Sequence, residues 1–183
     1  MNCWRVSALA AALVFASVSP TLANLVTDPG FESCTMFSQS PPPGWSGTGF
    51  CDQNSHSGSW DGGMLSAMLS QSIATTPGGT YDFSFWLLSG PVSASNSFTA
   101  AFGSDQVLNV VNSGFIPYTF YDFKVPATAL MTTIQFTGIT SGGIWAIDDV
   151  SVTQVETAVP EPATLLLATG LFGAAAIRRR RPS

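Results

Sequence analysis

Tyr81-Asp82-Phe83-Ser84-Phe85-Trp86-Leu87-Leu88 decides the fold class. Tyr81, Phe83, Phe85 and Leu87 alternate with Asp82, Ser84, Trp86 and Leu88, the period of two that turns one apolar set to one face of a strand. Pro77-Gly78-Gly79 just before it is a turn, because proline presets φ and glycine accepts a positive one. Similar runs recur at 65–74, 97–102, 106–111, 119–125, 132–138 and 144–154, punctuated by Gly, Pro, Asn and Ser with no helical period between them. Seven or eight strands of this length predict an all-β chain of two packed sheets, a β-sandwich. In the last run Trp145 and Ile147 are two apart and Val150 comes three later, which predicts a bulge at Asp148-Asp149. Alternation also sends Tyr118 and Phe120 to one face and Tyr121 and Phe123 to the other, with one pair buried.

Outward from the strands, both ends of the chain change character. At the start, Arg5 precedes an apolar stretch at 6–18, and Thr21-Leu22-Ala23 puts small residues where a signal peptidase inspects the chain. The expectation is a signal helix within residues 1–23, cut between Ala23 and Asn24. An uncleaved anchor competes, but the stretch is short for a span and is broken by Ser7, Ser17, Ser19 and Pro20.

At the other end stand Val159-Pro160-Glu161-Pro162, an uncharged run at 163–177, and Arg178, Arg179, Arg180 and Arg181. The prolines bias the backbone toward extended conformations and mark the tail off from what precedes it. As a helix the run measures about 22 Å, short of the ~30 Å hydrocarbon core unless the proline flank contributes. Four always-charged arginines resist translocation and hold the terminus in the cytoplasm, so the preceding domain lies outside. A buried helix of a soluble domain would need a polar face, and the run offers only Thr164, Thr169 and two glycines.

The tail resembles the PEP-CTERM sorting signal of Gram-negative bacteria, which combines a Pro-Glu-Pro motif, a hydrophobic segment and a terminal arginine cluster in this order. The resemblance implies an exosortase, a membrane-embedded cysteine protease, as processing partner, and a membrane-anchored precursor later delivered to the cell surface or extracellular matrix. The chain then divides into a signal peptide at 1–23, an ectodomain at 24–155 and a sorting and anchor segment at 156–183.

Within 24–155, Lys124 is the one basic residue against Asp28, Glu32, Asp52, Asp61, Asp82, Asp105, Asp122, Asp148 and Asp149, one positive against nine negative charges for a net of −8. That balance repels polyanions and excludes nucleic acid as a partner, while neutral glycans remain admissible. Cys3 leaves with the signal, so Cys34 and Cys51 remain in an oxidising compartment and a disulfide between them is expected ahead of a metal-ligand role.

Asn24-Leu25-Val26 with Gly30-Phe31-Glu32, then Gly44-Trp45, Leu69-Ser70-Gln71-Ser72-Ile73, Pro77-Gly78-Gly79-Thr80-Tyr81, Phe85-Trp86-Leu87 and Ile147-Asp148-Asp149-Val150-Ser151-Val152 carry a second resemblance. Together they are similar to a galactose-binding-like jelly roll, the fold of many carbohydrate-binding modules. The resemblance implies a structural calcium shared by the opening segment and the last strand, at Glu32 and Asp148 with Asp28 or Asp149 as substitutes. Calcium needs several hard oxygens, and the plainer alternative is that these acids end strands and turns in solvent.

Signals of catalysis are sparse. The chain's single histidine, His56, stands in the serine-rich run 54–59, with no glycine-framed nucleophile elsewhere. No Cys/His cluster of zinc spacing, phosphate-cradling loop or dinucleotide fingerprint appears. A non-enzymatic protein is therefore expected, with no catalytic residue to name. Trp45, Trp60, Trp86, Trp145, Tyr118 and Tyr121 supply flat faces for sugar stacking, most of them expected in the core. Trp60 beside Asp61, in the polar run 57–63, is the candidate for exposure and for a glycan contact. The functional expectation is an exported structural or adhesive protein linked to exopolysaccharide; a carbohydrate-binding module for a neutral glycan comes second and a glycan hydrolase third.

Overall fold

The computed structural model describes residues 22–90 and 95–156. The signal stretch at 1–21 and the tail at 157–183, including the motif, hydrophobic run and arginine cluster, lie outside the described residues. Among the described residues no helix is long and apolar enough to cross a membrane.

Ten strands follow in order: β1 (Ser46–Gly47), β2 (Phe50–Asp52), β3 (Asp61–Met64), β4 (Ala67–Ala74), β5 (Thr80–Ser89), β6 (Asn96–Phe102), β7 (Asp105–Val111), β8 (Ile116–Pro126), β9 (Met131–Thr140) and β10 (Trp145–Gln154). They form two five-stranded antiparallel sheets, β1-β4-β9-β6-β7 and β2-β3-β10-β5-β8. This is the all-β sandwich that the sequence predicts. The three extra strands, β1 to β3, are two to four residues long and carry almost no alternation of their own.

The inward phase of every long strand meets in one core. Phe83, Phe85 and Leu87 of β5 face Phe98 of β6 and Phe136 of β9, and all five are fully buried. Phe85 and Phe136 meet edge to face, centroids 4.9 Å apart at 80°, the geometry their quadrupoles favour. Trp145 closes one end of the core, its indole N–H donating to the Ile139 carbonyl at 3.1 Å. Tyr121 and Phe123 are the inward pair of β8; Tyr118 and Phe120 face out.

The opening segment is tied to both sheets. Asn24 Nδ2 donates to the Val150 carbonyl and its Oδ1 accepts from the Val152 amide, each at 2.9 Å. Gln71 of β4 fixes the same segment, accepting from the Thr27 amide and donating to the Thr27 and Gly44 carbonyls, so its buried amide leaves neither end unpaired. Phe31 enters the core over Gly62, where a Cβ would stand 2.6 Å from the phenyl ring; glycine is required for that approach. Cys34 and Cys51 are joined by a disulfide, as expected, stapling the opening segment to β2. The β5–β10 register shifts between Asp148 and Ser151, with Asp149 at φ 48°, so the bulge read from the spacing of Ile147 and Val150 is present.

Candidate functional site

The outer face of the β2-β3-β10-β5-β8 sheet collects most of the chemistry. Asp52 of β2 pairs with Asp61 of β3. One residue beyond the Ile147–Gly62 pair, Asp148 of β10 comes beside Asp61. Asp148 in turn pairs with Trp86 of β5, and Trp86 with Phe120 of β8. Period-two geometry therefore lines up Asp52, Asp61, Asp148, Trp86 and Phe120 in one row across five strands, acidic at one end and aromatic at the other.

A loop between β2 and β3 folds over the middle of this row. His56 stacks on Trp86, ring centroids 3.8 Å apart at 14°, and meets Tyr118 edge-on at 5.4 Å. The loop is held by carboxylates. The His56 and Ser57 amides donate to Asp148 Oδ2 at 2.8 and 2.9 Å. The Ser57 hydroxyl donates to Asp149 Oδ1 at 2.6 Å, and His56 Nδ1 lies 2.8 Å from Asp149 Oδ2. The Ser59 and Trp60 amides donate to Glu32 Oε1 at 2.8 and 3.0 Å. Gly58, at φ 65°, lets the turn press against that carboxylate, where a Cβ would collide with it.

Asp61 is fully buried. Its Oδ2 accepts the Tyr118 hydroxyl at 2.9 Å, while Oδ1 has no partner. Burial pushes its carboxyl up to about 7; the Tyr118 hydrogen bond opposes the shift, and the neighbouring Asp52 and Asp148 charges add to it. Burial likewise raises Asp148 to about 6, against the amide hydrogen bonds that favour its ionised form. Tyr118 is held far above its ordinary value by burial and by the charge of Asp61, and stays a neutral donor. At the aromatic end Phe120 is 51% exposed, with Trp86 and Tyr118 half-buried beside it.

The residues singled out in the sequence fall into two groups. Glu32, Asp148 and Asp149 do converge: a Cβ on Gly30 would lie 3.7 Å from an oxygen of each aspartate and 3.8 Å from Glu32 Cγ. They serve as anchors for the 56–60 loop, and Asp28 accepts instead from the Ser33 amide at 3.1 Å. Among the described residues no group of three His, Cys, Asp or Glu side chains has the arrangement of a metal centre. Trp60 and Asp61 sit differently from the expectation of an exposed loop pair. Trp60 packs on the edge of the core, and Asp61 opens β3 beneath Tyr118, because the β3–β10 pairing draws 61–64 into the sheet.

Trp86 and Tyr118, two of the six flat faces read from the sequence, lie at the surface together with His56 and Phe120, which were not read as stacking residues. Their signal was the outward phase of two strands: Trp86 shares its phase with Asp82 and Ser84, and Phe120 is in step with Asp122 and Lys124.

Comparison with known proteins adds two findings. The first concerns the domain. TmCBM61 in complex with β-1,4-galactotriose is similar over 73% of this chain and 99% of its own, at 18% identity and a TM-score of 0.52. A family 22 carbohydrate-binding module of Clostridium thermocellum Xyn10B is similar over 72% and 94%, at 11% identity and 0.52. The Stig cyclase Fisc from Fischerella sp. TAU matches over 74% and 98%, at 14% identity and 0.53. At such identities the likeness is one of fold: the described domain is an all-β sandwich of two antiparallel sheets, similar in fold to these carbohydrate-binding modules. The second concerns the tail. Residues 158–181 match the PEP-CTERM protein-sorting motif, which implies an exported chain that is membrane-anchored before processing. No curated protein matches the chain.

Proposed function

We infer that this is a non-catalytic surface protein of a Gram-negative bacterium whose jelly roll binds a neutral glycan on the outer face of the β2-β3-β10-β5-β8 sheet. The observation that carries the reading is the row itself. Exposed Phe120 and half-buried Trp86 and Tyr118 offer flat apolar faces to a sugar ring, with the partly exposed His56 and Asp149 side chains beside them for hydroxyls. A domain of net charge −8 disfavours anionic polymers, which leaves neutral ones. The role is adhesive: export through signal peptidase, sorting by exosortase at Val159-Pro160-Glu161-Pro162, then attachment to exopolysaccharide at the surface or in the matrix. The structural calcium that the resemblance implies at Glu32 and Asp148, with Asp28 or Asp149 as substitutes, is tested by the melting temperature, which calcium should raise and a chelator lower.

One observation favours a second reading, glycan hydrolysis. A carboxyl held neutral near pH 7, as at Asp61, is what a glycosidase uses as proton donor. Asp61 is nevertheless fully covered beneath Tyr118 and offers no oxygen to the surface, so binding is preferred. Titration of neutral galactan, xylan and host exopolysaccharide tests this. Trp86→Ala and Phe120→Ala are each expected to weaken binding about tenfold or more, with Trp60→Ala close to wild type. Release of reducing ends that is lost in Asp61→Asn would favour hydrolysis instead.

A further inference from the structure

We propose that, while the chain is still anchored, the end of the sandwich from which the tail leaves lies on the outer surface of the membrane and touches zwitterionic lipid through Leu130 and Met131. Strand pairing fixes which end this is. β10 ends at Gln154, and the Val155 amide donates to the Thr80 carbonyl at 2.8 Å. Thr80 pairs with Pro126, so the β8–β9 connection starts two strands, about 10 Å, from the exit. Between Glu156 and the uncharged run that begins at Ala163 stand only residues 157–162, which fully extended span at most about 20 Å. In the anchored precursor the exit end is therefore held within that distance of the hydrocarbon. The opposite end, about 30 Å further along β5, is under no such constraint.

The exit end carries an apolar tip on a pinned backbone. Leu130 is 73% exposed, the most of any large hydrophobic among the described residues, and Met131 is 57% exposed. The Thr75 amide donates to the Leu130 carbonyl at 2.9 Å and the Thr75 hydroxyl to the Ala129 carbonyl at 2.8 Å. The Ala127 amide donates to the Gly79 carbonyl at 2.9 Å. The three turns at this end, 75–79, 103–105 and 126–131, contain one charged residue, Asp105. Between the second and third of them opens a cleft of about 240 Å³ whose lining includes Ser104, Asp105, Thr128 and Met131. Its hydroxyls and single carboxylate suit the ammonium of a zwitterionic headgroup and repel an anionic one. Phe115, at the opposite end, is 63% exposed, so exposure alone does not choose an end; the tether does. The tether also sets the strength of the contact. Two side chains hold a free domain weakly, but a short linker presents them at an effective concentration of about millimolar, and cutting the tail removes that advantage.

The test is tryptophan quenching in the chain with its tail intact, reconstituted into zwitterionic phospholipid vesicles with and without bromine on the acyl chains. Leu130→Trp should add emission that the brominated lipid quenches several-fold more than the emission added by Phe115→Trp. Both positions are exposed, so neither change should lower the melting temperature. Replacing the zwitterionic lipid with an anionic one should reduce the quenching at position 130. Equal quenching at the two positions overturns the proposal, and so does quenching undiminished in anionic vesicles. No quenching at position 130 in lipid alone also overturns it, and would assign the exit end to a membrane protein such as the exosortase.

Discussion

The two sheets share one core and almost nothing else. The strands of the β7 sheet contain a single charged residue, Asp105; those of the β8 sheet contain Asp52, Asp61, Asp82, Asp122, Lys124, Asp148 and Asp149. Their inward phases are interchangeable in kind, Phe98 and Phe136 on one side and Phe83 and Phe85 on the other. Their outward phases differ, hydroxyls on one and carboxylates with aromatics on the other. In an alternating strand the inward half of the residues specifies the sandwich, and the outward half is free to specify what it meets.

The largest expected effect comes from removing what the sheets share. Phe85→Ala takes a fully buried ring from contact with Phe98, Tyr121, Phe123 and Phe136 and should cost about 3–5 kcal/mol. Urea unfolding followed by probes on each sheet should show one coincident transition. Separate transitions would mean that the sheets do not depend on a common core.

A smaller effect should separate the sheets by pH. Asp61 and Asp148 have folded values raised from 3.8 to about 7 and about 6, so between those limits the folded state holds more protons than the unfolded one. Stability present in acid is therefore lost as pH rises through that window. The melting temperature should be about 5 °C or more lower at pH 8 than at pH 5. Asp61→Asn, which imitates the neutral acid, should flatten that dependence, whereas Asp105→Asn on the opposite sheet should leave it intact. A pH dependence unchanged in Asp61→Asn would show that the buried row is not its source.

The smallest effect belongs to the hydroxyl-rich face. Thr137→Ala should change stability by no more than about 0.5 kcal/mol and leave glycan affinity untouched. A loss of glycan binding there would move the ligand to the wrong sheet.

Legibility in the sequence followed the same division. Tyr81 to Leu88 reveals its strand because inward rings and outward polar groups differ in kind, and the bulge at Asp148-Asp149 shows in the spacing of Ile147 and Val150. Residues 57–63 read as a polar loop, since Gly62 and Gly63 carry no side-chain pattern; from Asp61 on they are strand because β10 lies alongside and Phe31 needs the space. The same pairing buried Asp61 and set Trp60 against the core. Trp86 was the better surface candidate by phase, but its contact with His56 spans thirty residues of sequence and a loop whose path is fixed by Glu32, Asp148 and Asp149. Local polarity carries no record of such distant partners.

Mapping amide shifts of the ectodomain on addition of a neutral polysaccharide is the most direct test of the difference between the faces. The expected result is a cluster of shifts at His56, Trp86, Tyr118 and Phe120, with Ser70, Thr99 and Thr137 silent. Shifts confined to the hydroxyl-rich sheet, or no shifts with any neutral glycan, would contradict it.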